Sequence, residues 1–484
     1  MRVSVPIDSS DAKATSSGDI THRDGFGTPH AGANTNVSNG PTDARSTNRR
    51  IMALALPTFG QLIAEPTFIL IDTAIVGHIG DAALAGLSIG STIILTAVGL
   101  CIFLAYSTTA QVAHLLGAGR RREGLQAGID GLWLAGIIGV VVSVALFVIA
   151  RPLCMAMGAQ GSVLHNAVDY VRAVVFGIPG MLLVYAANGI FRGLQKVRIT
   201  LIAAMVGAIL NTLLDLLFIL GFGWGVFGSG VATLISQWFM AVVLIVPSVL
   251  WTRAEGVRLR PRLSGVLNSA GDGAVLFLRT LALRACLVAN VVLATHMGVE
   301  VLAAYQVVNS SWNFVLNMLD AIGIAGQTLV AAQIGARQED EAMRLTRIAG
   351  KAGLCGGMVI GIGLMIAGWC ASPLFSQSTE IRHLLTVGMM VVGVTLPLAG
   401  WMWAVDGILI GAEDYRYLAL TCTATAAIYV PCLAAIGWIC DAMQASSALR
   451  MALLWLAVNL LFVGLRAIFN GFRIGTSAWL HIAY

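Results

Sequence analysis

A series of apolar runs, each long enough to cross a lipid bilayer, constrains this sequence more than any other feature. A membrane-spanning helix needs about 20 predominantly apolar residues. A polar stretch at 252–273 divides the runs into six and six. They cover approximately 51–77, 84–116, 128–150, 169–191, 199–221, 230–251, 274–297, 303–335, 351–370, 384–409, 417–439 and 449–469. Only 11% of the residues are charged, whereas a soluble globular chain has about 25%. The sequence therefore predicts an all-α membrane protein with twelve transmembrane helices.

Arginine and lysine are concentrated in every second connection between the runs. Cytoplasmic connections carry an excess of these two residue types, which sets the orientation in the membrane. The basic connections contain Arg120, Arg121, Arg122, Arg192, Lys196, Arg198, Arg253, Arg258, Arg260, Arg262, Arg337, Arg344, Arg347, Lys351 and Arg416. Arg49 and Arg50 at one end of the helical region, and Arg466 and Arg473 at the other, fall on the same side. We therefore predict a multi-pass protein of the cell membrane with both termini in the cytoplasm.

Composition divides the chain into five regions. Residues 1–50 are rich in Ser, Thr, Asp, Asn and Gly without periodic apolar positions, which predicts a disordered tail. The other regions are a first lobe at 51–251, a cytoplasmic linker at 252–273, a second lobe at 274–470 and a C-terminal tail at 471–484. The eight cysteines form no C-x-x-C pattern, so we expect no metal, cofactor or disulfide framework. Nucleic acid is not an expected partner, because the basic residues lie at helix ends.

The two halves repeat with an offset of 218 residues. His78 corresponds to His296, Gly117 to Gly335, and Pro179 to Pro397. Because six spans separate equivalent helices, both halves enter the membrane from the same face. Parallel repeats of this kind, related by an axis along the membrane normal, are typical of transporters.

The first run contains two acids and two prolines. Glu65 and Asp72 are seven residues apart, so they share one face of a helix. A carboxylate at bilayer depth is costly and is a functional hypothesis by default. Pro66 cannot donate a backbone hydrogen bond, which favours a bend beside the acids. The alternative is a kinked helix whose acids only attach it to its neighbours.

Further polar residues in the first lobe are candidates for the same site. Asn188 lies at the end of the fourth run, and Asn211 and Asp215 lie four apart on one face of the fifth. Crowded carboxylates in a low dielectric favour binding of a proton, and amide side chains can donate to whichever acid is charged. We therefore predict a cation-coupling site at Asp72, Asp215, Asn211, Asn188 and Glu65. The alternative is that these groups only join helices by hydrogen bonds.

The second lobe has a different set of buried polar residues. Arg279, Arg284, Asp320 and Asp406 lie within apolar runs, and opposite charges at this depth are expected to pair. The offset of 218 places Asn290 at the position of Asp72. The proton-binding network is therefore expected in the first lobe alone.

Catalytic motifs in their required context are absent from the sequence. It has no phosphate-binding glycine loop and no H-E-x-x-H, and its G-x-S-x-G match, GLSIG at 86–90, lies inside an apolar run rather than at a strand-to-helix turn. An enzyme is not expected, and the energy for transport would come from an ion gradient or from the solute itself.

Four segments resemble the MATE family of multidrug and toxic-compound extruders. The segment 65–80, EPTFILIDTAIVGHIG, is similar to the first helix of the DinF-like branch of that family. NGIFRGLQ at 188–195 resembles the end of its fourth helix. The pair Asn211 and Asp215 resembles its fifth helix, and WAVDGILIGA at 403–412 resembles the segment after its tenth. The likeness extends over about 51–470.

This resemblance implies a V-shaped pair of six-helix lobes and antiport of H⁺ or Na⁺ against organic, often cationic or amphipathic, compounds. In DinF-like relatives the first-helix aspartate is the proposed protonation site, which is Asp72 here. Its hydrogen-bonded partners would be Asn188, Asn211 and Asp215. Pro57 would be the hinge of the first helix, with Pro66 a second bend. A monomer in contact with membrane lipids is the family expectation.

Two other functions stay open at this point. A flippase of lipid-linked saccharides, from the same superfamily, would favour a strongly cationic cavity, for which Arg279 and Arg284 are candidates. A receptor or scaffold that transports nothing has little need for twin lobes and buried acids. The sequence does not identify the substrate or choose between H⁺ and Na⁺.

Overall fold

The computed structural model describes residues 44–370 and 378–482, which are almost entirely α-helical. The long helices of this part of the chain are α1 (Ala44–Gly77), α2 (Asp81–Gly117), α3 (Arg121–Ala156), α4 (Gly161–Gly193), α5 (Val197–Gly221), α6 (Gly225–Ala254), α7 (Leu263–His296), α8 (Val299–Gly335), α9 (Glu339–Cys370), α10 (Thr379–Gly411), α11 (Tyr415–Ala442) and α12 (Ser447–Ile474). Within the described ranges, the eleven helices α2–α12 are long and apolar enough to cross a membrane. Helix α1, with 34 residues, is the remaining long helix of the described part of the chain.

Some of these helices contain irregular turns. A turn at 101–102 divides α2 into the pieces Asp81–Leu100 and Phe103–Gly117. In α4 a 3₁₀ turn occupies Val175–Gly177, just before Pro179. The π-helical turns of α5 and α12 lie at Leu216–Gly221 and Ala457–Phe462. The prolines Pro57 and Pro66 both lie inside α1, which is helical throughout its length.

Three of the predicted region boundaries differ from the structure. Helix α1 begins at Ala44, inside the region predicted as a tail, and residues 1–43 lie outside the described residues. Helix α7 begins at Leu263, so 263–273 is helical rather than linker. The C-terminal region is also ordered through 474–482, where Trp479 and Leu480 are buried. Apolar content marks only the hydrocarbon-spanning part of a helix, and these helices continue beyond it.

The short linker between α6 and α7 is attached to α3. The backbone N–H of Arg262 donates to Asp130 Oδ1 over 2.9 Å, and Gln126 Nε2 donates to the same oxygen over 3.0 Å. Trp133 Nε1 donates to the Leu259 carbonyl oxygen over 3.1 Å. The connection between the two halves is therefore held against the first lobe.

The packing of helices repeats between the two halves. The pairs α1–α5, α2–α4, α3–α4, α4–α6 and α5–α6 recur as α7–α11, α8–α10, α9–α10, α10–α12 and α11–α12. Local conformation repeats too, since Gln195 and Glu413, 218 residues apart, have φ of 58° and 60°. The predicted fold of two parallel-repeat lobes is confirmed.

Close contact between α2 and α8 joins the lobes at their arginine-rich end. A Cβ atom on Gly117 would lie 1.8 Å from the carbonyl oxygen of Ala332, and one on Gly335 would lie 1.9 Å from that of His114. Both pairs are related by the offset of 218, so a pseudo-twofold axis passes between them. Only glycine allows the two backbones to approach this closely.

Buried apolar side chains form two clusters. The larger one extends through the first lobe into the arginine-rich half of the second, including 329–334 and 405–412. The smaller one fills the remaining half of the second lobe. The lobes therefore share a core at the arginine-rich end and have separate cores at the opposite end, as in a V.

Candidate functional site

Asp72 is buried in the interior of the first lobe. Its side chain is 6% exposed, and its Oδ1 atom accepts a hydrogen bond from Ser229 Oγ of α6 over 2.7 Å. Sequence reasoning missed Ser229. It lies between Gly228 and Gly230, and a Cβ atom on Gly230 would meet Ala173 of α4 at 2.6 Å. The two small neighbours allow α6 to pack closely, so the G-S-G pattern was the available signal.

Asp215 and Asn211 are buried on one face of α5. Asp215 lies close enough to Asp72 for their charges to interact. Within the described part of the chain, both carboxylate oxygens of Asp215 and both amide atoms of Asn211 are without a hydrogen-bond partner. A bare carboxylate in an apolar interior is stable when it carries a proton or faces a cation. The pair Asp72–Asp215 is therefore suited to hold a proton or a cation.

The predicted hydrogen bonds from Asp72 to its polar neighbours are not formed. Among the described residues, Asp72 makes no direct hydrogen bond with Asn188, Asn211 or Asp215. Asn188 is buried on α4 and lines the same cavity as Asp72. For Glu65, the backbone lies in α1 and the side chain lies outside what the structure describes.

The first chamber is a cavity of about 330 Å³ in the first lobe. Its polar lining includes Asp72, Asn188 and Tyr170, and Pro66 of α1 is part of its wall. Apolar side chains such as Met181, Leu87 and Met240 also line it. An apolar pocket of a few hundred Å³ with a few polar groups is typical of a site for a small organic molecule.

The predicted ion pair of the second lobe is confirmed for Arg279 and Asp406, whose side chains are in direct contact. Asp406 also contacts Arg466 Nη2, 3.1 Å from Oδ2, and Asn470 Nδ2, 3.2 Å from Oδ1. Arg466, which the sequence assigned to the cytoplasmic side together with the C-terminal end, is buried. Its side chain is 3% exposed, and its guanidinium lies over the Trp403 ring.

The sequence left open whether Arg279 or Arg284 pairs with Asp320 or Asp406, and in the structure the pair is Arg279 with Asp406. Asp320 Oδ2 accepts a hydrogen bond from the Tyr106 hydroxyl over 3.1 Å. Neither Asp320 nor Arg284 forms an ion pair with any described residue. Another buried arginine, Arg192 of α4, donates through Nη2 to Gln61 Oε1 over 3.2 Å.

In the second lobe, the positions equivalent to Asp72 and Asn211 form a hydrogen-bonded pair. Asn290, which corresponds to Asp72, accepts a hydrogen bond of 2.5 Å from the Tyr429 hydroxyl. Tyr429 itself corresponds to Asn211 in the first lobe. Of these two equivalent positions, the first lobe has a carboxylate, Asp72, and the second lobe has an amide, Asn290, as the sequence predicted.

The second chamber is a cavity of about 390 Å³ between the two lobes. Its charged lining consists of Arg279, Arg284, Arg466, Asp320 and Asp406. It shares several lining residues with the first chamber, namely Leu95, Ile102, Tyr106, Tyr185 and Asp320. The two chambers are therefore adjoining parts of one central space.

A sequence profile of the MatE family matches residues 57–217 and 276–436, one match in each lobe. The chain belongs to the MatE family. The two matches are 219 residues apart, within one residue of the offset of the internal repeat found in the sequence.

Curated relatives cover most of the chain. Protein DETOXIFICATION 43 of Arabidopsis thaliana is 26% identical, over 80% of this chain and 84% of that protein. DNA damage-inducible protein F of Escherichia coli is 25% identical, over 87% of this chain and 91% of that protein, which agrees with the DinF-like resemblance. A solved structure of the Vibrio cholerae MATE transporter VcmN in the bent form aligns with a TM-score of 0.80 and 19% identity, over 90% of this chain and 99% of that one. The protein is therefore a multi-pass membrane transporter of the MATE type.

Proposed function

We propose that this protein is a cation-coupled antiporter that exports small organic, often cationic or amphipathic, compounds, and that the coupling ion is a proton carried by Asp72. The observation that carries this proposal is the position of Asp72. It is a buried carboxylate on the wall of an apolar chamber, on a helix with two internal prolines, and its charge interacts with that of Asp215.

The carboxylate would act on the substrate and on the shape of the chamber. When it is ionised, it attracts a cationic group into the first chamber, where the low dielectric strengthens the attraction. When it is protonated, that attraction is lost and the group becomes a hydrogen-bond donor. Substrate and proton then compete for one site, which is the requirement for antiport.

The two prolines in α1 allow this helix to bend. Pro57 and Pro66 cannot donate to the carbonyls of Ala53 and Leu62, so α1 lacks two hydrogen bonds of its backbone ladder and bends at low cost. Because Pro66 lies on the chamber wall, a bend there changes the volume available to the substrate. A change in the hydrogen bonds of Asp72 is coupled to this bend through the same helix.

The geometry favours a proton over Na⁺ as the coupling ion. A sodium site needs several oxygen atoms that converge on one point. The Asp72 carboxylate instead accepts a hydrogen bond from Ser229, and the oxygens of Asp215 have no hydrogen-bond partner among the described residues. One buried carboxylate beside another is sufficient to bind a proton.

The test is uptake of a fluorescent organic cation into inside-out membrane vesicles. We expect an acidic lumen alone to drive uptake, and a sodium gradient at constant pH to have no effect. If sodium alone drives uptake, the coupling ion bound by these residues is Na⁺ and not a proton. No uptake with either gradient would contradict the exporter and favour a flippase of lipid-linked saccharides.

Orientation, location and assembly belong to the same proposal. The arginine-rich end faces the cytoplasm of the cell membrane, in agreement with the positive-inside rule. In that orientation the close contact of Gly117 with Ala332 lies on the cytoplasmic side of the protein. The working unit is a monomer in contact with lipids.

A further inference from the structure

Arg284 is a cation at the depth of the bilayer that has no ion-pair partner among the described residues. It lies near the middle of the apolar run 274–297 on α7, and its side chain is exposed to the second chamber. Across the chamber it approaches the backbone of Gly99 on α2, where a Cβ atom would lie 3.2 Å from Arg284 Nη2. A cation at this depth is costly unless it faces a partner or water.

Each of the other charged groups of the chamber has a neighbour of opposite charge. Asp406 contacts both Arg279 and Arg466 and accepts from Asn470. Asp320 accepts from Tyr106, and its charge interacts with that of Arg192. Three guanidinium groups and two carboxylates of the described residues line the chamber, so their net charge is +1, and Arg284 is the group among them without a counter-charge.

From this geometry we propose that the second chamber contains a subsite for an anionic group of the substrate, a carboxylate in the first instance, bound by Arg284. The planar guanidinium fits a carboxylate through two parallel hydrogen bonds. The subsite rests on the proposed export function and adds a substrate class to it. The class is zwitterionic compounds, whose cationic part lies in the first chamber and whose carboxylate lies in the second.

The arrangement of the two chambers supports this class. They meet at Tyr106, Tyr185 and Asp320, so one extended molecule can occupy both. Asp72 provides negative charge in one chamber, and Arg284 provides positive charge in the other. Gly99 leaves room for the guanidinium to reach the space between the lobes.

The test compares two dyes that differ in one group. Rhodamine B has a cationic ring system and a free carboxylate, and its ethyl ester has the same ring system without the negative charge. Binding of both to the full-length protein in phosphatidylcholine nanodiscs is measured by fluorescence polarisation, without an ion gradient. The variants are Arg284→Gln and Arg284→Lys, and Arg258→Gln in the exposed linker is the control.

We expect Arg284→Gln to lower the ratio of acid to ester affinity at least tenfold, by weakening only the acid. Arg284→Lys should keep most of the ratio, and Arg258→Gln should keep all of it. An unchanged ratio in Arg284→Gln, or an equal loss for both dyes, would overturn the subsite.

Two further measurements distinguish the subsite from a lipid-binding site and from the export function itself. If phosphatidylglycerol added to the nanodiscs abolishes the acid preference of the wild type, the anion held by Arg284 is a lipid phosphate and the substrate assignment is overturned. Export of the ester under an acid gradient tests the proposed function separately. Ester export together with an unchanged ratio would leave the exporter standing and remove only the subsite.

Discussion

Ser229 Oγ donates a 2.7 Å hydrogen bond to Oδ1 of Asp72, and it connects α6 to α1, the helix that contains Pro57 and Pro66. The hydroxyl stabilises the ionised carboxylate, since a donor bonded to the charged form favours that form. Under the proposed proton coupling, this contact would help to determine the pH at which Asp72 takes up a proton.

The first prediction concerns this hydroxyl. In Ser229→Ala the carboxylate loses its donor, so protonation becomes easier. The pH of half-maximal proton-driven dye uptake should rise by about one unit, because a hydrogen bond to a charged group contributes roughly 1.5 kcal/mol or more. Ser229→Thr retains the hydroxyl and should behave as the wild type. An unchanged pH profile in Ser229→Ala would remove this contact from the coupling site.

A second prediction separates the charges around Asp406. Asp406→Asn leaves Arg279 and Arg466 buried without a counter-charge, which should destabilise the second lobe by roughly 3–5 kcal/mol. Arg279→Met leaves the pair of Asp406 and Arg466 intact and should have a clearly smaller effect. Thermal unfolding of the purified protein followed by tryptophan fluorescence measures both. Equal losses would mean that Arg466 does not neutralise Asp406.

The fold was largely predictable from the sequence, because its signals are local. Apolar length determines a spanning helix, and the offset of 218 between Pro179 and Pro397 reports the repeat. Helix ends were predicted less well. Ser269, for example, lies in a polar stretch and is nevertheless buried in α7, where its hydroxyl donates to Gln111.

The sequence identified residues of the site, but it did not identify which of them are in contact. Asp72 and the pair of Arg279 with Asp406 were identified because charges in apolar runs are conspicuous. Ser229 and Asn470 were missed, since neutral polar residues in helices are common and their partners depend on tertiary packing. The charges alone left the pairing among Arg279, Arg284, Asp320 and Asp406 open, and Arg284 and Asp320 each form no ion pair with a described residue.

The third prediction tests the contact between the lobes. Gly117→Ala places a Cβ atom against the carbonyl oxygen of Ala332, so the arginine-rich ends must separate. We expect a loss of roughly 1–3 kcal/mol in stability, as for overpacked cores, with a parallel loss of uptake. Gly136→Ala is the matched control, because a Cβ atom there meets nothing within 4 Å. Wild-type melting and uptake in Gly117→Ala would contradict the close packing of α2 and α8.

A fourth prediction concerns pH and stability at the arginine-rich end. Burial and the charge of Asp272 raise the pKa of Glu413, in the α10–α11 connection, to about 7. A raised pKa means that the folded state binds the proton more tightly than the unfolded state. This contribution to stability is present below the ordinary glutamate pKa of 4.5 and is lost as the pH rises toward 7.

Melting temperatures between pH 4.5 and pH 8 measure this contribution. Relative to Glu413→Gln, the wild type should lose stability across pH 4.5–7 and remain level above it. Glu300→Gln, at an exposed carboxyl in the first turn of α8, should follow the wild type. Parallel curves for the wild type and Glu413→Gln would show that Glu413 does not titrate in this range.

The measurement that tests the central claim most directly is proton flux driven by substrate in proteoliposomes, for the wild type against Asp72→Asn. The control is Asp169→Asn, which changes a partly exposed carboxylate paired with His165. We predict that Asp72→Asn folds with a near-normal melting temperature and moves no protons when the substrate is added, while Asp169→Asn matches the wild type. Proton flux at the wild-type rate in Asp72→Asn would contradict coupling through Asp72.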